Sequence, residues 1–202
     1  IALSYDESLK VLKDFSDEDL IMLSDNDEIP NLDSKDFKKN KKDIVLFKQL
    51  FFYFKFNLLY DKMYWFGTKG CKKKKLKSLS WLKNIKLKKY PFWRIDTLFS
   101  ETKQINLQII QEGGWHFTNL KTPEDMYEKF VNFGHHNEFK LSGLTVEKIR
   151  EKIKNKEMFY DHFVDQSSTN KWKSDYKLKK YSSSLLPKYL SDNQNKYKEW
   201  FD

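Results

Sequence analysis

The sequence predicts an α/β fold, a mixed sheet flanked by helices. Three observations carry this. Short apolar runs at residues 20–23 and 105–110 are bounded by turn residues and are too brief for helices, so they read as buried strands. Segments opening at Thr122 and Thr145 set apolar residues at helical spacing behind a capping side chain. The apolar run Leu20-Ile21-Met22-Leu23 feeds into Asp25-Asn26-Asp27-Glu28 and stops at Pro30, and ligands of open α/β sheets bind outside the carboxyl ends of strands.

Taken in order, residues 8–15 place Leu9, Val11, Leu12 and Phe15 at helical spacing. Residues 30–42 are polar and predict a loop with a short helix over 34–40. Residues 44–60, rich in aromatic and branched side chains, predict one long strand or two. Tyr64-Trp65-Phe66-Gly67 is an aromatic turn. Residues 69–89 are dominated by lysine, with Leu76, Leu79, Trp81, Leu82 and Ile85 at helical spacing. Thr122 then caps a helix with Pro123 at its first position, and Met126, Phe130 and Phe133 line one face. Thr145 caps a second helix through residue 156, with Val146, Ile149 and Ile153 inward. Residues 166–184 are polar and irregular, and residues 185–200 dock back on the body.

Composition sets further bounds. The chain has 202 residues, 39% hydrophobic and 17% aromatic, which suits a packed core rather than a disordered chain. Its formal charge of +9 comes almost wholly from lysine, with arginine at Arg94 and Arg150 alone. Cys71 is the single cysteine, so an intrachain disulfide and a cysteine-based zinc site are excluded. There is no Asn-x-Ser/Thr sequon, and no apolar run reaches the ~20 residues needed to span a bilayer. The chain begins at Ile1, as if mid-element, and is expected to be a fragment.

Four constellations carry chemistry. Asp25 and Asp27 are candidate ligands for a hard divalent cation, magnesium or manganese, with Glu28 turned toward a second ligand or a sugar hydroxyl. A solvated turn is the plainer reading, because Asp and Asn favour turns. A calcium loop of the EF-hand type fails on spacing at Ile29 and Pro30. In Glu112-Gly113-Gly114-Trp115-His116-Phe117 the glycines admit close backbone approach, Trp115 offers a stacking face and His116 can ligate a metal or bind phosphate. A tight turn with a buried tryptophan competes with that reading. His135-His136-Asn137-Glu138 suits metal binding or acid–base chemistry, against the plainer reading of a helix C-terminus where a cationic histidine favours the dipole. The lysine tract at 69–89 suits phosphate, nucleic acid or an anionic membrane surface, against a plain solvated helix face.

The first two constellations together resemble glycosyltransferase family 17, whose pattern has Ser-Asp-x-Asp-Glu-Ile-Pro after an apolar strand and Gly-Trp-His-Phe-Ser further on. Trp65-Phe66-Gly67-Thr68, His136-x-Glu138-Phe139 and Leu186-Pro187-Lys188-Tyr189 match other family segments, so the resemblance runs from about residue 20 to 190. Thr118 replaces the serine, and Lys121-Thr122-Pro123-Glu124 stands where many microbial members have two glycines. The family's upstream nucleotide-binding segment does not precede these motifs here.

The resemblance implies a GT-A-like, Rossmann-like fold lacking its first strands. Residues 1–165 would form the catalytic domain and 166–202 an extension packed on it. It further implies a divalent cation (Mn2+ or Mg2+) on Asp25 and Asp27, and a nucleotide-sugar donor, UDP-GlcNAc in the characterised branch. Inverting transfer would be to a glycan acceptor. Glu28, Gly113, Gly114, Trp115, His116 and His136 would contact substrate, and Glu112 or Glu138 would be the catalytic base. The expected location is the cytoplasm or the cytoplasmic membrane face, with peripheral membrane contact and no nucleic-acid partner. The alternative is a non-enzymatic basic module that binds nucleic acid or an anionic surface through residues 69–89. A metal-dependent phosphotransferase or nuclease is a third reading, unsupported by any Gly-rich phosphate loop.

Overall fold

The structure, a computed structural model, describes residues 10–132, 136–165 and 168–202. It is a mixed α/β protein. In chain order the strands are β1 (Leu20–Leu23), β2 (Glu28–Pro30), β3 (Ile44–Phe47), β4 (Leu50–Tyr53), β5 (Leu58–Leu59), β6 (Lys69–Lys72), β7 (Leu107–Ile110), β8 (Gly114–Thr118) and β9 (Lys179–Lys180). The chain forms two compact units, residues 1–50 with 63–116, and residues 51–62 with 117–202.

The first unit is built on a sheet of order β1-β6-β3-β7, with β3 parallel to β7 and antiparallel to β6. Strand β3 is apolar at every position because both faces of the sheet are covered. Ile44 and Leu46 pack with Leu107, Cys71 and the helix Leu79–Asn84, through Trp81 and Leu82. Val45 and Phe47 face the other way, with Ile110, Leu20 and Phe37 of the short helix Lys35–Lys38. Each fully buried aliphatic or aromatic side chain here contributes about 1.5–3 kcal/mol.

The second unit pairs β5 antiparallel with both β4 and β9. It also contains the helices Pro123–Val131, His136–Leu141 and Val146–Lys154. Its core is aromatic: the Phe139 ring lies 5.4 Å from Phe130 and 5.0 Å from Trp172, in tilted and edge-on contacts. Thr122 and Thr145 cap their helices as expected, accepting from the amides of Asp125 and Lys148. The C-terminal stretch docks through Leu186 and Leu190, both buried, and through a bond from the Phe56 amide to the Trp200 carbonyl.

Several expectations are corrected. Among the described residues the expected buried strand at 20–23 is an edge strand with β6 as its one sheet neighbour, so it is half-buried and Met22 is exposed. The segment 44–60 makes three strands, because Gln49 leaves the first ladder to exchange backbone bonds of 2.8 and 2.9 Å with Trp65. Residues 69–89 are not one helix: the tract is strand β6, a 3-10 turn at Lys73–Lys75 and the helix Leu79–Asn84. Of residues 8–15, Ser8 and Leu9 lie outside the described residues, and Val11–Asp14 is a 3-10 turn that buries nothing. Phe133, His135, Gln166 and Ser167 are likewise outside them. Beyond residue 167 the supposedly irregular stretch buries Trp172 and Leu178 and supplies β9. Residues 168–202, expected as an extension packed on the domain, group with residues 51–62 and those from 117 onward. Among the described residues no helix is long and apolar enough to cross a membrane.

Candidate metal centre

A turn and a two-strand ladder in the first unit build the site. After β1, Asp25-Asn26-Asp27-Glu28 closes a tight turn through a 3.1 Å bond from the Glu28 amide to the Asp25 carbonyl, the role that Asp and Asn favour. Strand β2 then pairs antiparallel with β8, in the register Glu28 to His116, Ile29 to Trp115 and Pro30 to Gly114. Directly opposed residues share a face, which brings the acids and the histidine together across some ninety positions of sequence.

Glu28 is the keystone. It is 6% exposed, and its Oε1 accepts from the Trp65 indole at 2.7 Å. Its Oε2 accepts from the Asp25 amide at 3.0 Å and from the Thr68 hydroxyl at 3.4 Å. Gly67 makes room for it: a Cβ there would stand 1.5 Å from Oε1. The Trp65 ring also stacks on His116, with centroids 4.6 Å apart and planes 15° from parallel. His116 is buried, and its Nδ1 lies 3.7 Å from Oδ1 of the half-exposed Asp27.

Asp27, Glu28 and His116 each offer one ligand atom, and these atoms all lie within 4.8 Å of one another. Ligands on one ion at roughly 2.1 Å each are at most about 4.2 Å apart, so closure needs a sub-ångström shift. Asp27, with a side chain 40% exposed, has room to supply it. Two carboxylate oxygens and an imidazole nitrogen suit manganese better than magnesium, which prefers oxygen alone.

The expected metal acid Asp25 has a different place. Its carboxylate takes both bonds of an ion pair with Lys83, at 3.0 and 3.1 Å. Asp25, Glu28 and Trp65 line a cavity of about 470 Å³ together with Lys69, Lys83 and Lys86. Lys69 is buried, its ammonium donates to the carbonyls of Lys83 and Ile85, and burial lowers its pKa to about 8. Cys71 is buried, and burial pushes its thiol up to about 12.

The remaining predicted residues divide. Gly113 and Gly114 are required by the protein's own backbone: a Cβ at Gly113 would lie 2.4 Å from the Lys48 nitrogen, and one at Gly114, where φ is +114°, 2.1 Å from the Ile29 carbonyl. Trp115 is half-buried and, one position along the strand from His116, faces the other side. Glu112 is exposed in the turn before β8. His136 and Glu138 lie on the helix His136–Leu141 of the second unit. Sequence reading missed Trp65 as the partner of both Glu28 and His116, and Lys83 as the partner of Asp25. The one local signal was a glycine two residues after Trp65.

From Lys69 to Lys83 the lysine tract is largely paired or buried rather than a free cationic face. Besides buried Lys69, Lys72 and Lys74 both bond Glu18, Lys77 bonds Glu101 and Lys83 bonds Asp25. Comparison with family models, with curated proteins and with solved structures gives no match.

Proposed function

We propose that this protein is a divalent-cation-dependent glycosyltransferase of GT-A-like fold. It moves a sugar from a nucleotide-sugar donor, UDP-GlcNAc by resemblance, to a glycan hydroxyl. The observation that carries the reading is the convergence of Asp27, Glu28 and His116 on one point. The cavity beside them supports it, because it has room for a phosphorylated ligand and cationic side chains in its wall. In this reading Asp27, Glu28 and His116 hold the cation, and the hydrogen bonds of Glu28 also fix the turn that presents Asp27. The cation, when bound, offsets the charge that grows on the departing nucleotide diphosphate. Lys83, released from Asp25, adds a second positive charge there. Of the two carboxylates named for taking the acceptor's proton, Glu112 belongs to the same unit as the cluster.

The test is calorimetric titration of the whole chain with UDP-GlcNAc, with and without Mn2+, beside a donor-hydrolysis assay. Binding should require Mn2+, and Asp27→Asn and His116→Ala should each weaken it about 10- to 100-fold or more. Unchanged Mn2+-dependent binding by Asp27→Asn would refute the reading.

A further inference from the structure

We propose that residues 86–103 form a membrane-docking loop whose apolar tip enters an anionic lipid surface, independently of the reading above. Phe92, Trp93, Ile95, Leu98 and Phe99 fall within eight positions, and each is 67–86% exposed. Leu87 is half-exposed beside them. Scattered exposed apolar residues are ordinary, but five large ones in one short segment mark a contact surface.

The exposure is not that of an unformed segment. The loop is closed at its neck by backbone bonds from Lys86 to Thr102 at 3.0 Å and from Tyr90 to Gln104 at 3.4 Å. The Trp81 indole holds the Glu101 carbonyl at 2.8 Å. Its tip is folded by successive turn bonds, from the amides of Arg94, Thr97 and Leu98 to the carbonyls of Pro91, Arg94 and Ile95. Arg94 grips Asp96 with two bonds of 2.6 and 2.8 Å, and Lys103 reaches the same carboxylate at 2.6 Å. These two cations hold the Asp96 carboxyl well below the usual range. Buried Tyr90 roots the loop, with Lys88, Arg94 and Lys103 over its ring. Polar groups are therefore satisfied at the root while the large apolar side chains remain outside, the reverse of an ordinary surface loop.

The charges select the partner. Residues 86–103 carry five cationic side chains against two acids, Asp96 and Glu101. Asp96 is already neutralised within the loop, so Lys86, Lys88 and Lys89 border the apolar stretch. Lysines around exposed Phe, Trp and Leu match a bilayer interface, where rings sit among headgroups and ammonium groups meet anionic lipid. A second copy of this chain, itself +9, would set the same lysines against each other across a two-fold axis.

The experiment is co-sedimentation of the whole chain with vesicles of phosphatidylcholine alone and of phosphatidylcholine mixed with phosphatidylserine. Binding to the mixed vesicles should be strong and should fall as salt is raised. The combined change Phe92→Ser, Trp93→Ser, Leu98→Ser and Phe99→Ser should abolish it and leave the thermal midpoint unchanged. Lys86→Gln, Lys88→Gln and Lys89→Gln together should weaken binding to mixed vesicles roughly 100-fold, about fivefold per charge. Three results would overturn the proposal: no pelleting of the parent chain with mixed vesicles, equal pelleting of the serine variant, or a dimer in sedimentation velocity that the serine changes dissolve while vesicles remain unbound.

Discussion

Replacing Glu28 by alanine removes the buried carboxylate whose hydrogen bonds tie the acidic turn to Trp65 and Thr68. Two of its bonds are well formed, 2.7 Å from the Trp65 indole and 3.0 Å from the Asp25 amide, and the third, from Thr68, is longer at 3.4 Å. Hydrogen bonds to a charged group contribute about 1.5–3 kcal/mol each, so the two good ones account for about 3–6 kcal/mol. Keeping a carboxylate at 6% exposure opposes part of that. The net expectation is a loss of about 3 kcal/mol, which for a chain of this size lowers the thermal midpoint by about 6–12 °C. Urea and thermal unfolding followed by tryptophan fluorescence measure it, since Trp65 sits on the broken bond. Glu28→Gln keeps the shape and one accepting oxygen but turns an amide toward the Asp25 N–H, and should lose roughly half as much. If the alanine variant stays within about 1 kcal/mol of the parent, Glu28 does not hold the turn and the argument fails.

Three more expectations follow from the same geometry. Gly114→Ala places a Cβ 2.1 Å from the Ile29 carbonyl at a φ of +114°, and should cost at least about 3 kcal/mol in urea unfolding, with faster amide exchange along β2 and β8. Lys69 has its pKa lowered to about 8, so between there and 10.5 the unfolded chain binds the extra proton; the parent should therefore gain stability relative to Lys69→Met as pH rises through that window, and a flat difference would refute the assignment. Thr122→Ala removes the oxygen that accepts from the Asp125 amide and should destabilise the second unit by about 1 kcal/mol, read from its denaturant midpoint.

What the sequence revealed followed the range of the interactions. The caps at Thr122 and Thr145 were legible because oxygen and amide lie three residues apart, within the span of a local pattern. Strand β3 was legible as a continuous apolar run, but its end was not: Gln49 is compatible with a strand and is diverted by Trp65, sixteen positions on. Lys69 looked solvated like its neighbours, yet two carbonyls at the end of the following helix bury it. In the site, Asp27 and His116 were read as two motifs, and the β2–β8 register supplies the reason they meet. Glu28 was assigned to substrate because its donors Trp65 and Thr68 lie 37 and 40 residues away, a distance no local pattern encodes.

The path of the chain has a consequence for synthesis. It changes unit three times, at 50/51, 62/63 and 116/117, the last crossing falling between His116 and Phe117 inside one strand. Residues 51–62 therefore leave the ribosome with half of the first unit and must wait for residues 117–202 before their own unit can close. That waiting segment includes Phe51, Phe52, Tyr53 and Phe54, all buried once folded. A nascent chain with only residues up to about 117 clear of the ribosome would hold Asp27, Glu28 and His116 together but leave that aromatic segment without residues 117–202 to cover it. Arrest at that length should therefore favour chaperone binding to residues 51–54.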